Sequence, residues 1–349
     1  MTLPLFPPSR LVGAVLLLFS AAWCCGQQAA PVPNAADLST RFGLVPEKFK
    51  HFDVILEPDK NEPEWWAGAP SVVRDGKGTF WMACRMRTAD APLGLRGYEI
   101  RILRSDDGIH FRKVHSILRE KVPIPGFERP ALLIDPRTGR FKLYGCGPWQ
   151  GGAWSIIKFD DAEDPTRFDP STARPVIQPA SKSSPREEGV TAYKDPFIIY
   201  ADGAYHCFVI GSLRGERLFH FRSEDGERWE PVGHRNQSIM DLSGWHNFYV
   251  RPASVLPVGA GYLFVYEGSN AQWHDPVYNI ATGLGFTFDL HHIIDLTPDS
   301  PLLTSTTPSE LFHTWRYSHW MAVGDEVWVY AEVARPNRTN EIRLFRLRR

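Results

Sequence analysis

One unit is written five times along the chain. Residues 69–84 read "APSVVRDGKGTFWMAC", 129–146 "RPALLIDPRTGRFKLYGC", 195–207 "DPFIIYADGAYHC", 251–266 "RPASVLPVGAGYLFVY" and 319–333 "HWMAVGDEVWVYAEV". Each copy is a short β-rich strand, a tight turn containing Gly or Asp, and a second strand rich in aromatics, which is the pattern of a hairpin. The first four have a proline near the start, at 70, 130, 196 and 252, and the fifth lacks it. A third strand follows every hairpin ("YEIRILRS" in the first copy), and a fourth follows the first four. Repetition at this period with few helix signals predicts an all-β fold: a five-bladed β-propeller with four antiparallel strands per blade. A sandwich could use strands at this spacing but would not explain the copy-to-copy match. No fourth strand follows copy five, so "FDVILEP" (52–58) is expected to complete the last blade, because an unpaired edge would otherwise stay exposed. Two connecting turns, "RSDDGIHF" (104–111) and "RSEDGERW" (222–229), are near-copies in which Asp can cap backbone amides and Gly can take positive φ.

The N-terminus reads Arg10, an apolar run "LVGAVLLLFSAAW", then "CCGQQAAPVPN", the layout of a secretory signal. The expected organisation is a signal peptide over 1–27, a leader over 28–48 and the propeller over 49–349, giving a secreted or periplasmic protein. A lipid anchor on Cys24 or Cys25 is disfavoured by bulky Trp23. No later apolar run is long enough to span a bilayer. Only Cys84, Cys146 and Cys207 follow the leader, each within an apolar strand, so they read as small buried hydrophobes rather than as a disulfide framework or metal cluster. The net charge of -1, with basic residues dispersed, gives no nucleic-acid footprint.

In a propeller the first strand of each blade lines the central channel, so the leading ends of distant strands converge. Those ends carry Gly68-Ala69, Glu128-Arg129, Lys194-Asp195, Val250-Arg251 and Ser318-His319. Charged residues at the mouths of core strands are thereby explained as members of one site.

"KDPFIIYADGAYHCFVIGS" resembles the third-blade motif of the five-bladed glycosidases of the arabinanase, levansucrase and invertase type, including glycoside hydrolase family 43. "GAPSVVRDGKGTFWMACRMR", and "GYLFVYEGSN" with "YNIATGLGFTFDL", resemble the first and fourth blades of family 130, the β-mannoside phosphorylases and hydrolases. The resemblance spans most of residues 52–349. It implies that Asp195 is the aspartate that orients the acid in family 43, and that His319 lies near a histidine beside a channel ion. On that basis no cofactor is required, though a structural calcium ion in the channel is implied. Arg85 matches a family 130 arginine that holds phosphate or substrate hydroxyls. The chain also departs from both families. Ala69 stands where family 43 has its base, Val250 where it has its acid, and Arg129 where family 130 has its catalytic aspartate.

Glycoside hydrolysis needs one protonated acid and one ionised carboxylate. Asp195 and Glu128 are the leading pair, with Glu267, Glu64, Glu187 or Glu188 available as a further partner. Arg85, Arg129 and Arg251, with Arg316 close by, would suit an anionic group on the carbohydrate, unless the carboxylates already named neutralise them. Trp66 and Trp149, together with Trp65, Trp154, Trp245, Trp273 and Trp315, fall outside mid-strand positions and could line a saccharide groove. Trp81, Trp320 and Trp328 read as core. The expectation is a monomeric glycosidase that degrades a poly- or oligosaccharide and binds neither nucleic acid nor membrane. The alternatives are a non-catalytic carbohydrate-binding propeller, a glycoside phosphorylase or a sialidase-like enzyme.

Overall fold

The computed structural model describes residues 46–180, 188–305, 307 and 313–348. The expected signal peptide, nearly all of the leader, and Glu187 lie outside the described residues. The protein is built from strands, with only short 3-10 turns between them. Strand β1 (Asp53–Leu56) comes first. Module one is β2 (Trp66–Arg74), β3 (Phe80–Arg87), β4 (Gly97–Ser105) and β5 (Arg112–Leu118). Module two is β6 (Ala131–Ile134), β7 (Phe141–Pro148), β8 (Trp154–Lys158) and β9 (Arg174–Ile177). Module three is β10 (Tyr193–Ala201), β11 (Ala204–Ser212), β12 (Glu216–Ser223) and β13 (Glu230–Pro231). Module four is β14 (Tyr249–Val258), β15 (Gly261–Ser269), β16 (Ala281–Thr287) and β17 (Ile294–Asp295). Module five is β18 (Trp315–Val323), β19 (Glu326–Ala334) and β20 (Asn340–Arg348).

Modules two, three and four are separate four-stranded antiparallel sheets. Modules one and five share a sheet through a single parallel residue pair, Trp66 with Asn340. β1 pairs antiparallel with β20, Asp53 opposite Leu344, so the segment expected to complete the last module does pair with its third strand. The first strands touch in sequence: β2 with β6, β6 with β10, β10 with β14, β14 with β18, and β18 with β2. The apolar clusters fill the seams between modules. One cluster holds Ile100 and Leu143 between one and two, another Cys146 and Val209 between two and three, a third Phe208 and Phe264 between three and four, and a fourth Val265 and Val329 between four and five. Phe80 stacks on Trp328 between five and one, in a cluster that also holds Met82 and Tyr330. Phe49, fully buried against Trp315, Trp320 and Phe345, marks where the chain joins this core.

The two Ser-x-Asp-Gly turns, 105–108 and 223–226, work as their residues dictate. Asp107 Oδ1 accepts from the Ile109 and His110 amides at 2.9 and 2.8 Å, and Asp225 Oδ1 accepts from Glu227 and Arg228 at 2.8 and 2.9 Å. Gly108 and Gly226 take φ of 75° and 76°, the left-handed region open to glycine. Each turn is gripped by the preceding module: Tyr330 donates to Gly108 O at 2.8 Å, and Tyr144 donates to Gly226 O at 2.7 Å. The three cysteines are free and buried, as expected.

A histidine stack crosses the seam between modules three and four. Nδ1 of His206 lies 3.0 Å from Nε2 of His220, and Nδ1 of His220 lies 3.3 Å from Nδ1 of His291. Burial lowers the pKa of all three, and mutual repulsion with His206 and His291 helps take His220 down to about 3. The unfolded chain therefore takes up protons that the folded protein refuses, so this stack costs nothing near neutrality and destabilises progressively as pH falls. His220→Phe is expected to gain on the wild type in Tm as pH drops from about 7 to about 4. A Tm difference independent of pH would disprove the role of the stack.

Candidate active site

The first strands of modules one, three, four and five each carry a register irregularity at the leading end, between Gly68 and Ser71, Lys194 and Phe197, Pro252 and Ser254, and Arg316 and His319. Ala69, Asp195 and Tyr317 occupy the kinks with φ of 51°, 53° and 53°. An aromatic residue rarely adopts that conformation, so Tyr317 is held there by its surroundings. The kink makes Tyr317, rather than the expected His319, the module-five counterpart of Asp195.

Tyr317 is the hub of the site. Its hydroxyl donates to Asp195 Oδ2 at 3.1 Å. The guanidiniums of Arg316, Arg85 and Arg129 lie 4.9, 5.4 and 5.8 Å from its ring centre. Asp195 Oδ1 accepts from the Arg129 backbone amide at 3.2 Å, and the Asp195 amide donates to Cys146 Sγ at 3.2 Å. Cys146 therefore borders the site, a placement its apolar strand does not suggest. Burial, reinforced by Asp195 and Glu128, pushes the Tyr317 pKa well up and keeps its proton on the hydroxyl.

Two glutamates in equivalent positions have opposite fates. Glu267 on β15 lies across from Arg251, and Glu332 on β19 lies across from Arg316. Arg316 turns to its cross-strand partner, giving Nε and Nη2 to Glu332 Oε1 at 3.0 and 2.8 Å. Arg85 Nη2 and the Ala69 amide hold the other oxygen at 3.0 and 3.1 Å, and Asn340 Nδ2 adds a bond of 2.6 Å to Oε1. Burial would raise the Glu332 pKa, but these cations and donors lower it overall. Arg251 instead turns away to Glu216, bonding Oε2 at 2.7 and 2.5 Å. Among the described residues Glu267 is left with one donor, the Ser318 amide at 3.1 Å, and its Oε2 is buried without a partner. Burial pushes Glu267 up to about 7, against the pull of Arg129 and Arg251. Environment thus separates two identical side chains into an ionised one and one that can carry a proton near neutrality.

Glu128 contacts Arg85 and retains 14% of its side-chain exposure, which makes it more open to solvent than the fully buried Glu267 and Glu332. Lys194 and Arg251 share Glu216, where burial is outweighed by the two cations and the pKa falls to about 2. Arg129 makes no ion pair among the described residues. It donates to the Pro252 and Ala253 carbonyls at 2.8 and 2.5 Å.

The structure therefore brings Asp195, Glu128, Glu267, Arg85, Arg129 and Arg251 together. Glu64 pairs with Arg96 and Arg338, and Glu188 with Arg214 at an exposed position, so neither joins the cluster. Trp66 is buried, with the guanidinium of Arg87 3.9 Å and that of Arg316 4.9 Å from its ring and Tyr278 packed against it, which leaves little room for sugar stacking. Trp149 packs against the apolar seam of modules one and two. Trp245, Trp273 and Trp315, expected in a saccharide groove, are instead buried in seams, because the aromatic area between modules needs filling. Trp154 lies 5.6 Å from the Lys194 ammonium. His319 packs 5.9 Å from Phe197, and burial plus nearby Arg129 take it down to about 3. A neighbouring guanidinium is a poor companion for a calcium ion, and no group of three or more His, Cys, Asp or Glu among the described residues is placed to hold a metal. No described helix is long and apolar enough to cross a membrane.

Sequence reasoning missed Glu332, Tyr317 and Arg87. Glu332 could have been found as a lone acid in the apolar run "VWVYAEVA", placed after Arg316 at the same interval as Glu267 after Arg251. Gly68 also records it, since a Cβ there would overlap Glu332 Oε2. In space, Glu332 puts a carboxylate where module one has only Ala69.

No family model and no curated relative matches the chain. Solved structures do. A glycosyl hydrolase from Bacteroides ovatus superposes with a TM-score of 0.62 at 13% identity, covering 84% of this chain and 93% of that one. The β-1,2-mannobiose phosphorylase from Listeria innocua gives 0.60 at 13%, covering 84% and 94%. A thermostable family-43 glycoside hydrolase gives 0.56 at 11%, covering 83% and 91%. The chain shares its fold with these three proteins.

Proposed function

We propose that this protein is an exported glycoside hydrolase built as a closed ring of five blades. Five modules in an open row would share four seams, and the stacking of Phe80 in module one on Trp328 in module five, ring centres 5.5 Å apart, provides a fifth. The observation that carries the functional reading is the meeting of Glu128, Asp195 and Glu267, from modules two, three and four, in one arginine-rich cluster, with burial pushing Glu267 up to about 7. In this reading Glu267 donates a proton to the leaving oxygen. Glu128, ion-paired to Arg85 and partly exposed, acts as the base or nucleophile. Asp195 positions the pair through Tyr317 and the Arg129 amide.

The test is a panel of aryl glycosides and polysaccharide fragments incubated with the protein. Asp195→Asn is expected to lower turnover by at least about 100-fold with the fold intact, because Asn tolerates positive φ and can still accept the amide bond. A fully active variant removes Asp195 from the site. One observation favours a second reading, a carbohydrate-binding propeller without catalysis: Glu267 is fully enclosed. Binding across the panel with no product would establish that reading instead.

A further inference from the structure

Arg87 is a buried cation with no counter-ion among the described residues. It ends β3 two residues beyond Arg85, on the same face of the strand. It is only 4% exposed, yet no carboxylate among the described residues pairs with it. Its contacts are the Trp66 ring, 3.9 Å away, and one long bond from Nη2 to the Tyr278 hydroxyl at 3.4 Å, while Nε is buried with no partner. Burial lowers its pKa; nearby Glu128 opposes this, and Arg85 and Arg316 add to it. Among the other arginines of the cluster, Arg85, Arg251 and Arg316 pair with carboxylates and Arg129 gives both Nη groups to carbonyls, although Nε of Arg85 and of Arg129 is also buried without a partner among the described residues; Arg87 alone has neither a carboxylate nor a carbonyl bond among them. Arg316, 4.9 Å from the same Trp66 ring, uses Nε and Nη2 on Glu332, which leaves Nη1 without a hydrogen bond among the described residues.

An unpaired buried charge is costly, and its retention calls for a partner that arrives from outside. A guanidinium edge presents two donors that match the two oxygens of a planar carboxylate. We propose that Arg87, with Nη1 of Arg316 beside it, binds the carboxylate of an acidic sugar, so that the substrate is a uronate-containing glycan. The proposal rests on the carbohydrate reading of the site, but its test measures binding rather than turnover.

The experiment is calorimetric titration of the full chain with D-galacturonate and D-glucuronate, with their methyl esters, and with inorganic phosphate. At least one acid is expected to bind roughly tenfold or more tightly than its ester, since esterification keeps the ring and removes the charge. Arg87→Lys is expected to bring that ratio close to one, because a point charge lacks the two-donor edge. Should this variant fail to fold, the acid-to-ester ratio on the wild type decides. Equal binding of acid and ester, or no binding of either, overturns the proposal, and so does phosphate binding tighter than both acids. Cleavage of neutral glycosides with no affinity for the acids overturns it while leaving the hydrolase standing. Acid-selective binding without cleavage of any glycoside upholds it and retires the hydrolase.

Discussion

Glu267→Gln is expected to cut kcat/KM on any cleaved glycoside by about 100- to 10,000-fold, with the cooperative thermal transition preserved. Glutamine keeps the side-chain shape and can still accept the Ser318 amide bond, so the loss would report the missing proton rather than a collapsed strand. The pH profile supplies an independent reading. Because the protonated form is the active one, wild-type kcat/KM should fall as pH rises through about 7. The same group leaves a mark on stability, with a definite sign. Its folded pKa is raised above the unfolded value, so the folded state holds a proton that the unfolded chain has released. The stabilising contribution is complete below the unfolded pKa of about 4.3 and is lost as pH climbs toward 7. Glu267→Gln should therefore gain on the wild type in urea midpoint across that window, in the direction opposite to His220→Phe. A variant with wild-type turnover would remove Glu267 from the chemistry.

Glu332→Ala is expected to destabilise the protein by about 3–5 kcal/mol, the largest stability effect of any single change considered. The carboxylate is fully buried and is shared by Arg85, Arg316, Asn340 and the Ala69 amide. Its removal leaves guanidiniums in a low-dielectric interior with their charge uncompensated, which costs more than the bonds themselves. A urea titration read by intrinsic tryptophan fluorescence measures the effect, and a loss below about 1 kcal/mol would mean that solvent already screens the network. Arg85 also contacts Glu128, so the same change should loosen the proposed base. Turnover should then drop even where the variant remains folded.

The architecture was legible because it rests on local chemistry repeated along the chain. Alternating apolar strands, Asp-capped turns and a proline at the start of four hairpins specify the modules one by one. The third capped turn was less visible: Asp289 accepts from the His291 and His292 amides at 2.9 and 2.8 Å, but Leu290, at φ 65°, stands where the other two turns have Gly. The leading ends of the first strands indicated that Asp195, Glu128, Arg129 and Arg251 meet. What stayed hidden was how charges are partnered across modules. Nothing in the sequence states that Arg251 abandons Glu267 for Glu216 while Arg316 keeps Glu332, yet that choice sets which acid holds a proton. The tryptophans misled for a related reason. Positions outside mid-strand are not thereby open to solvent, and Trp245 and Trp315 fill the wedges between neighbouring modules.

The pairing of β1 with β20 sets an order of events during biosynthesis. The ribosome makes Asp53–Leu56 early, while its antiparallel neighbour Asn340–Arg348 emerges only after the other four modules have been translated. Modules one to four can zip up as they appear, but the last sheet must wait, with the backbone amides and carbonyls of a nascent strand exposed. That interval is when chaperones or a neighbouring copy of the chain have an unpaired edge to capture.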